Sequence, residues 1–272
     1  MSASPSEDAA TTVIQSEPLP GVRLIELNRP HRLNAMSTDL LRELHEALDA
    51  LTDDTACRVV VLTGRGRGFC AGLDLVEHEG NRDGSPQSRL WLQKHIAALV
   101  PKLRALPQPV IAAVNGPASG GGLALALASD IRIAAPSAKF NASFVRIGLS
   151  GCDIGVSWLL PRLVGASRAF ELLLTGRLID AAEADRIGLV TRIAPEGEVV
   201  AAALETGRAI IGNSPMGVRM TKEVMWSQLE VSSLVAGLDL ENRTQIMTSF
   251  TEDHGEAVAA FLARRAPVFE DR

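Results

Sequence analysis

The sequence predicts an α/β core followed by a helical tail, and three observations carry that prediction. Short β-rich runs alternate with longer helical patterns between residues 13 and 198. Several of those runs are nearly continuous apolar stretches that end in glycine, as strands buried on both faces do. From Val199 onward only helical patterns occur. The expected organisation is a disordered N-terminus over 1–12, an α/β core over 13–198 and a helical C-terminal region over 199–272.

Taken in order, VRLIELN (22–28) alternates like a strand, and Ser37 then caps an amphipathic helix, STDLLRELHEALDAL, with Leu40, Leu41, Leu44, Leu48 and Leu51 on one face. RVVVLTG (58–64), PVIAAVNG (109–116) and DIRIAA (130–135) read as buried strands. A glycine-rich turn, GRGRGFCAGLD, follows the first of these three. After it comes a polar segment, EHEGNRDGSPQSR, a candidate lid, and a helix from about Leu90 to Leu106. Beyond Asp153 the pattern is mostly helical, with a brief strand at GLVTRIA (188–194). There is no internal repeat and no low-complexity segment.

Composition excludes several classes of function. At 272 residues with 46% hydrophobic and 22% charged residues, the chain can bury a sizeable core. A net charge of −5 with scattered Lys and Arg leaves no basic stripe for nucleic acid. No run reaches the roughly 18 apolar residues of a membrane span. The opening MSASPSEDAATT is polar and acidic, unlike a secretion signal, so a cytoplasmic protein is expected. Cys57, Cys70 and Cys152 lack paired metal or redox spacing and are read as reduced thiols.

Two glycine clusters ask for a functional reading. In NGPASGGGLALALASD a strand gives way to three glycines and then a helix, leaving the first N–H groups of that helix, Gly121 among them, without intrahelical partners. GFCAGLDL likewise sets a tight turn before a short helix. If the two turns face each other, the Leu73 and Gly121 N–H groups converge on one oxygen, an arrangement that supplies about 10²–10³ in rate for each donor. The alternative is two close strand-to-helix turns with no ligand. Neither stretch contains a nucleotide-phosphate loop pattern.

The strings LNRPHRLNAM, VVVLTGRGRGFCAGLDL, PVIAAVNGPASGGGLALALASDIRIAA and LLTGRLIDAAEADRIGLV, in that order, resemble the enoyl-CoA hydratase/isomerase (crotonase) superfamily. The resemblance implies a spiral of repeated ββα units with a helical trimerisation region, a trimer or dimer of trimers, and an acyl-CoA substrate that brings its own coenzyme A, with no further cofactor. It places the thioester carbonyl between the N–H groups of Leu73 and Gly121. It implies substrate or CoA contacts from Arg32, Ala71, Gly72, Asp74, Gly120 and Phe144. Phe261 and Arg264, in AFLARRAPVFEDR, fall where an aromatic and a basic residue reach the CoA of a neighbouring subunit.

Two positions depart from the hydratases of that family. Their catalytic glutamates correspond to Ala124 and Phe144, both apolar, so a twin-carboxylate addition of water does not carry over. Asp153 is the acid/base candidate that is left. Family members that shift double bonds in dienoyl-CoA esters, and the naphthoate synthases, resemble this chain in carrying an Asp on the same loop. An apolar pocket of Phe144, Ile147 and Leu149 beside Asp153 would raise its pKa. The residue is also a candidate N-cap of the helix IGVSWLLPRLV.

Other residues have bland readings. The five histidines share no spacing and are expected mostly at the surface; Cys152 is expected to be packed and inert, and Asp74 to cap its short helix. Ser119 as a hydrolase nucleophile lacks a partner, because no His occurs between His95 and His254. The reading is a double-bond isomerase of enoyl-CoA esters. The alternatives are a hydratase with a non-standard acid/base, or a noncatalytic acyl-CoA binder.

Overall fold

The computed structural model describes residues 11–79 and 85–272. Residues 1–10, expected to be disordered, and 80–84, the middle of the expected lid, lie outside the described residues. Thr12 is already pinned: its N–H donates to Glu43 at 2.7 Å, and its carbonyl accepts from the Asn28 N–H at 2.7 Å.

The core is a six-stranded sheet in the order β1 (Val13–Leu19), β2 (Val22–Leu27), β3 (Val59–Gly64), β4 (Val110–Val114), β6 (Ile131–Ala134) and β9 (Arg192–Ile193). All neighbours are parallel except β1, which pairs antiparallel with β2 across a tight turn. Every residue of β3 and β4 is buried, as their nearly continuous apolar sequences require; the one polar side chain, Thr63, donates to the Ala113 carbonyl at 2.8 Å. Alternation divides the sheet between two cores. Val60 and Leu62 face the core that contains α1 (Thr38–Thr52), whereas Val59, Val61, Ile111 and Ala113 face α9 (Val199–Ile211) through Val199 and Ala203. Sheet packing thus continues past residue 198 into the first C-terminal helix.

A second sheet of three short strands, β5 (Ala118–Ser119), β7 (Lys139–Asn141) and β8 (Ile179–Asp180), leads through β5 into α5 (Gly121–Ala128), whose eight residues are all buried. These strands escaped the sequence reading because two- and three-residue strands show no period, and β1 escaped it because most of its residues are exposed or half-buried, leaving no regular apolar alternation. Ser37 caps α1 as expected, accepting the Leu40 N–H. The helix expected over Leu90–Leu106 is instead two, α3 (Pro86–Ala97) and α4 (Leu99–Ala105), meeting at Ala98. Pro101 explains the break: its ring excludes the carbonyl four residues back, but it fits the first turn of a new helix.

Beyond α2 (Leu75–Glu79), the remaining helices of the core are α6 (Val156–Val164), α7 (Ala166–Thr175) and α8 (Ala181–Arg186). The C-terminal region continues with α10 (Pro215–Gln228), α11 (Leu234–Ser249) and α12 (Glu252–Ala263). It is not helical to its end. Residues 264–272 turn back, and the buried Asp253 carboxylate accepts the N–H groups of Glu270 and Asp271 at 2.8 and 3.1 Å. Among the described residues no helix is long and apolar enough to cross a membrane.

Candidate active site

Because β3 and β4 are parallel neighbours, the loops that follow them leave the sheet at the same end, where open α/β sheets bind ligands. The two glycine-rich turns therefore meet. The Ser119 N–H donates to the Cys70 carbonyl at 3.0 Å, and the Cys70 N–H to the Pro117 carbonyl at 3.1 Å. Gly72, at φ +90°, lies so close to the second turn that a Cβ on it would stand 2.8 Å from the Ser119 oxygen and 3.2 Å from the Gly121 nitrogen. A Cβ on Gly122 would collide with the Cys70 carbonyl. These two positions explain the glycines as close backbone approach.

Leu73 is framed by Met36, whose N–H donates to the Gly72 carbonyl at 2.7 Å and whose carbonyl accepts the Asp74 N–H at 3.0 Å. Among the described residues, the N–H groups of Leu73 and of Gly121, the first residue of α5, have no hydrogen-bond partner. Ala71 and Leu73 are half-buried; Gly72, Gly120 and Gly121 are buried. Ala124 and Phe144, the two positions expected to correspond to the hydratase glutamates, are apolar and buried. Ala124 lies in α5, and the Phe144 ring comes within 3.4 Å of where a Cβ on Gly120 would stand.

Asp153 does not cap α6, which corrects one of its two expected roles. The cap is Gly155, and Ile154 and Gly155 both adopt left-handed backbone, at φ +46° and +78°. This turn separates the carboxylate from the N-terminus of the helix. A β-branched residue at positive φ is strained. Ile154 is held there with its Cδ1 3.5 Å from the Cβ position of Gly121, so the loop that carries Asp153 packs directly on the second turn. Oδ1 of Asp153 accepts the Ile154 N–H at 2.8 Å and the Gln93 side-chain amide at 2.5 Å. Partial burial pushes the Asp153 carboxyl above its ordinary range, and these two donors only partly offset it. The expected wall of Ile147 and Leu149 is absent, since both are about half exposed.

Asp74 fills its expected capping role. Its Oδ1 accepts the Val76 and Glu77 N–H groups, while Oδ2 pairs with Arg29 at 2.8 Å. Burial works against its ionised form, but Arg29 and the capped N–H groups outweigh that and hold its pKa below the usual range. Asp74 and Arg32 line a polar cleft of about 390 Å³ together with His31 and Glu77. Phe261, 80% exposed, and Arg264 sit at the far end of α12, outside that cleft. A wider cleft of about 730 Å³, lined by Trp158, Met225 and Trp226, contains none of the residues singled out from the sequence.

The remaining candidates resolve simply. Ser119 Oγ donates to Asn141 at 2.5 Å rather than to a base. Cys70 is fully buried, its thiol pushed up to about 12 by burial, while Cys152 is exposed rather than packed. His45 is buried, not at the surface, and burial lowers its pKa; its ring stacks on that of His95 at 4.2 Å. Sequence reasoning missed Gln93, Met36 and Ile154 at the site. No spacing signals them, because they come from three separate segments.

The sequence model of the enoyl-CoA hydratase/isomerase family matches residues 18–272. The chain is 45% identical over 265 residues to a probable enoyl-CoA hydratase, EchA12, of Mycobacterium tuberculosis, covering 95% of this chain and 93% of that protein. It is 38% identical over 250 residues to the 1,2-epoxyphenylacetyl-CoA isomerase of Escherichia coli, covering 92% and 95% respectively. The crystal structure of an enoyl-CoA hydratase from Bacillus anthracis superimposes with a TM-score of 0.92 at 36% identity, over 96% of this chain and all of that one. A family match across nearly the whole chain, joined to the facing glycine turns, leads to one conclusion: the chain belongs to the enoyl-CoA hydratase/isomerase family of enzymes.

Proposed function

We propose that this enzyme shifts the double bond of an enoyl-CoA ester. The observation that carries the reading is that two free N–H groups lie beside the loop that carries Asp153, while Asp74 is tied up by Arg29 and its helix cap and positions 124 and 144 supply no carboxylate. In this scheme the thioester oxygen lies against the Leu73 and Gly121 N–H groups. Asp153 removes a proton from Cα of a 3-enoyl ester, the electrons move onto that oxygen, and the 3,4 double bond becomes part of a dienolate. The same carboxyl then returns the proton at Cγ, giving the 2-enoyl ester with no net change of atoms. Hydration needs in addition a group to hold and activate water. The coenzyme A of the substrate is the only cofactor the scheme requires, with Arg32 and Asp74 on its path.

The test is a panel of saturated, 2-enoyl, 3-enoyl and dienoyl CoA esters, followed by ultraviolet absorbance and mass. Isomerisation changes absorbance at constant mass. A gain of one water on the 2-enoyl ester, without isomerisation, would return the chain to the hydratases.

A trimer or a pair of trimers completes the proposal. Phe250, Phe261 and Leu262 are 86%, 80% and 76% exposed in the isolated chain, an apolar surface that an interface would cover. Sedimentation at micromolar concentration is expected to give a trimer or hexamer. A monomer would remove Phe261 and Arg264 from any site shared between subunits.

A further inference from the structure

The two oxygens of Asp153 are not equivalent. Oδ1 takes both of the hydrogen bonds described above, from the Ile154 N–H and from Nε2 of Gln93, while Oδ2 accepts none among the described residues. The Ile154 bond is local and comes with the left-handed turn. The Gln93 bond spans 60 residues and depends on where α3 lies. Helix α3 is in turn tied to α1 just beyond Gln93. The His45 ring stacks on His95, Nε2 of His45 donates to the His95 carbonyl at 2.9 Å, and Trp91 also stacks on the His95 ring, at 5.4 Å. A carbonyl only accepts, so His45 carries its proton on Nε2.

We propose that Gln93 is a positioning residue for Asp153, a role that rests on the acid/base reading of Asp153: its amide fixes Oδ1 and leaves Oδ2 as the atom that takes and returns the proton. An amide that donates to a carboxylate also favours the ionised form, and so opposes the effect of burial. The titratable side chains on the elements around Asp153 are Arg89, Lys94 and His95 of α3, Arg146 and Cys152 on its own side of the loop, and Arg162 of α6. The side chain that hydrogen-bonds Asp153 is neutral, which makes its charge the natural variable to change.

Gln93 is exposed, so its replacement disturbs no core packing. The experiment compares wild type with Gln93→Lys, Gln93→Leu and Gln93→Glu. It measures the pH profile of kcat/KM for exchange of the Cα protons of a 3-enoyl-CoA ester with solvent deuterium. The acid limb reports the ionisation of Asp153 in the free enzyme. Lysine adds an opposite charge and lowers the limb below wild type. Leucine removes a donor and raises it by about half a pH unit or more, about threefold in kcat/KM on the limb. Glutamate sets two carboxylates in contact and raises it furthest.

The expected order of limbs is therefore Lys, wild type, Leu, Glu. A helix that Gln93 merely stabilises would change kcat without producing this order. One limb position shared by all four proteins, or a lysine limb at or above that of leucine, overturns the proposal. Asp153→Asn run in parallel separates the two readings. If that variant loses exchange while the Gln93 series stays fixed, Asp153 stands and Gln93 falls. Wild-type exchange in Asp153→Asn, or no exchange in the wild type, overturns both.

Discussion

Asp153→Asn is expected to lower turnover about 10²-fold or more while leaving the melting temperature essentially unchanged. The first part follows from losing a positioned general acid/base, since an amide cannot take a proton near neutral pH. The second follows from the structure. Asp153 caps no helix, and an asparagine Oδ1 can still accept from the Ile154 N–H and the Gln93 amide, so the cost stays within about 0.5 kcal/mol. The sign of the electrostatic effect agrees. Burial raises the pKa of Asp153 in the folded protein, so its ionised form weighs against folding at all pH values above its ordinary titration range, and a neutral side chain escapes that penalty. Wild-type kcat/KM is expected to rise with pH through this raised pKa, an acid limb placed above the ordinary value of about 3.9. Wild-type turnover in a folded Asn variant would leave the proposed isomerisation without a proton carrier.

Gly121→Pro is expected to lower kcat/KM by about 10² or more relative to Gly121→Ala, with both variants folded. Gly121 is the first residue of α5, where no helical N–H is needed, so the substitution removes the donor and sets the proline Cδ in its place. The alanine variant is the control. It keeps the N–H and introduces the same Cβ, which meets Met36 Sδ at 3.1 Å and Ile154 Cδ1 at 3.5 Å, contacts that a flexible methionine can relieve. The ratio of the two variants therefore reports the lost N–H donor together with the ring carbon that takes its place at the developing oxyanion. Equal kcat/KM in the two, with unchanged oligomer size, would remove the Gly121 N–H from the site.

The strands that form the buried centre of the sheet were legible because their chemistry is local. Val59–Gly64 and Val110–Val114 are apolar but for Thr63 and end at glycine or at a turn, and burial on both faces demands that pattern. The cap at Ser37 and the helix behind it were legible for the same reason: capping and a 3.6-residue period are properties of one short segment. The glycine turns were visible as turns that free the Leu73 and Gly121 N–H groups, and the family resemblance pointed to the same two donors. The break at Ala98 was written in Pro101 and was overlooked in favour of an unbroken apolar pattern.

What the sequence by itself determined was the α/β core, the two glycine turns, the family, and apolar residues at positions 124 and 144. Tertiary structure alone decided that the turns touch, that Asp153 is turned away from its helix, and that Gln93 and Ile154 share its environment. The reason is the range of the interactions. Periods, caps and glycine spacings are fixed by neighbours within a few residues, whereas the bond from Gln93 to Asp153 and the seat of Ile154 on Gly121 join segments 60 and 33 positions apart, which only the packing of the completed sheet and helices brings together.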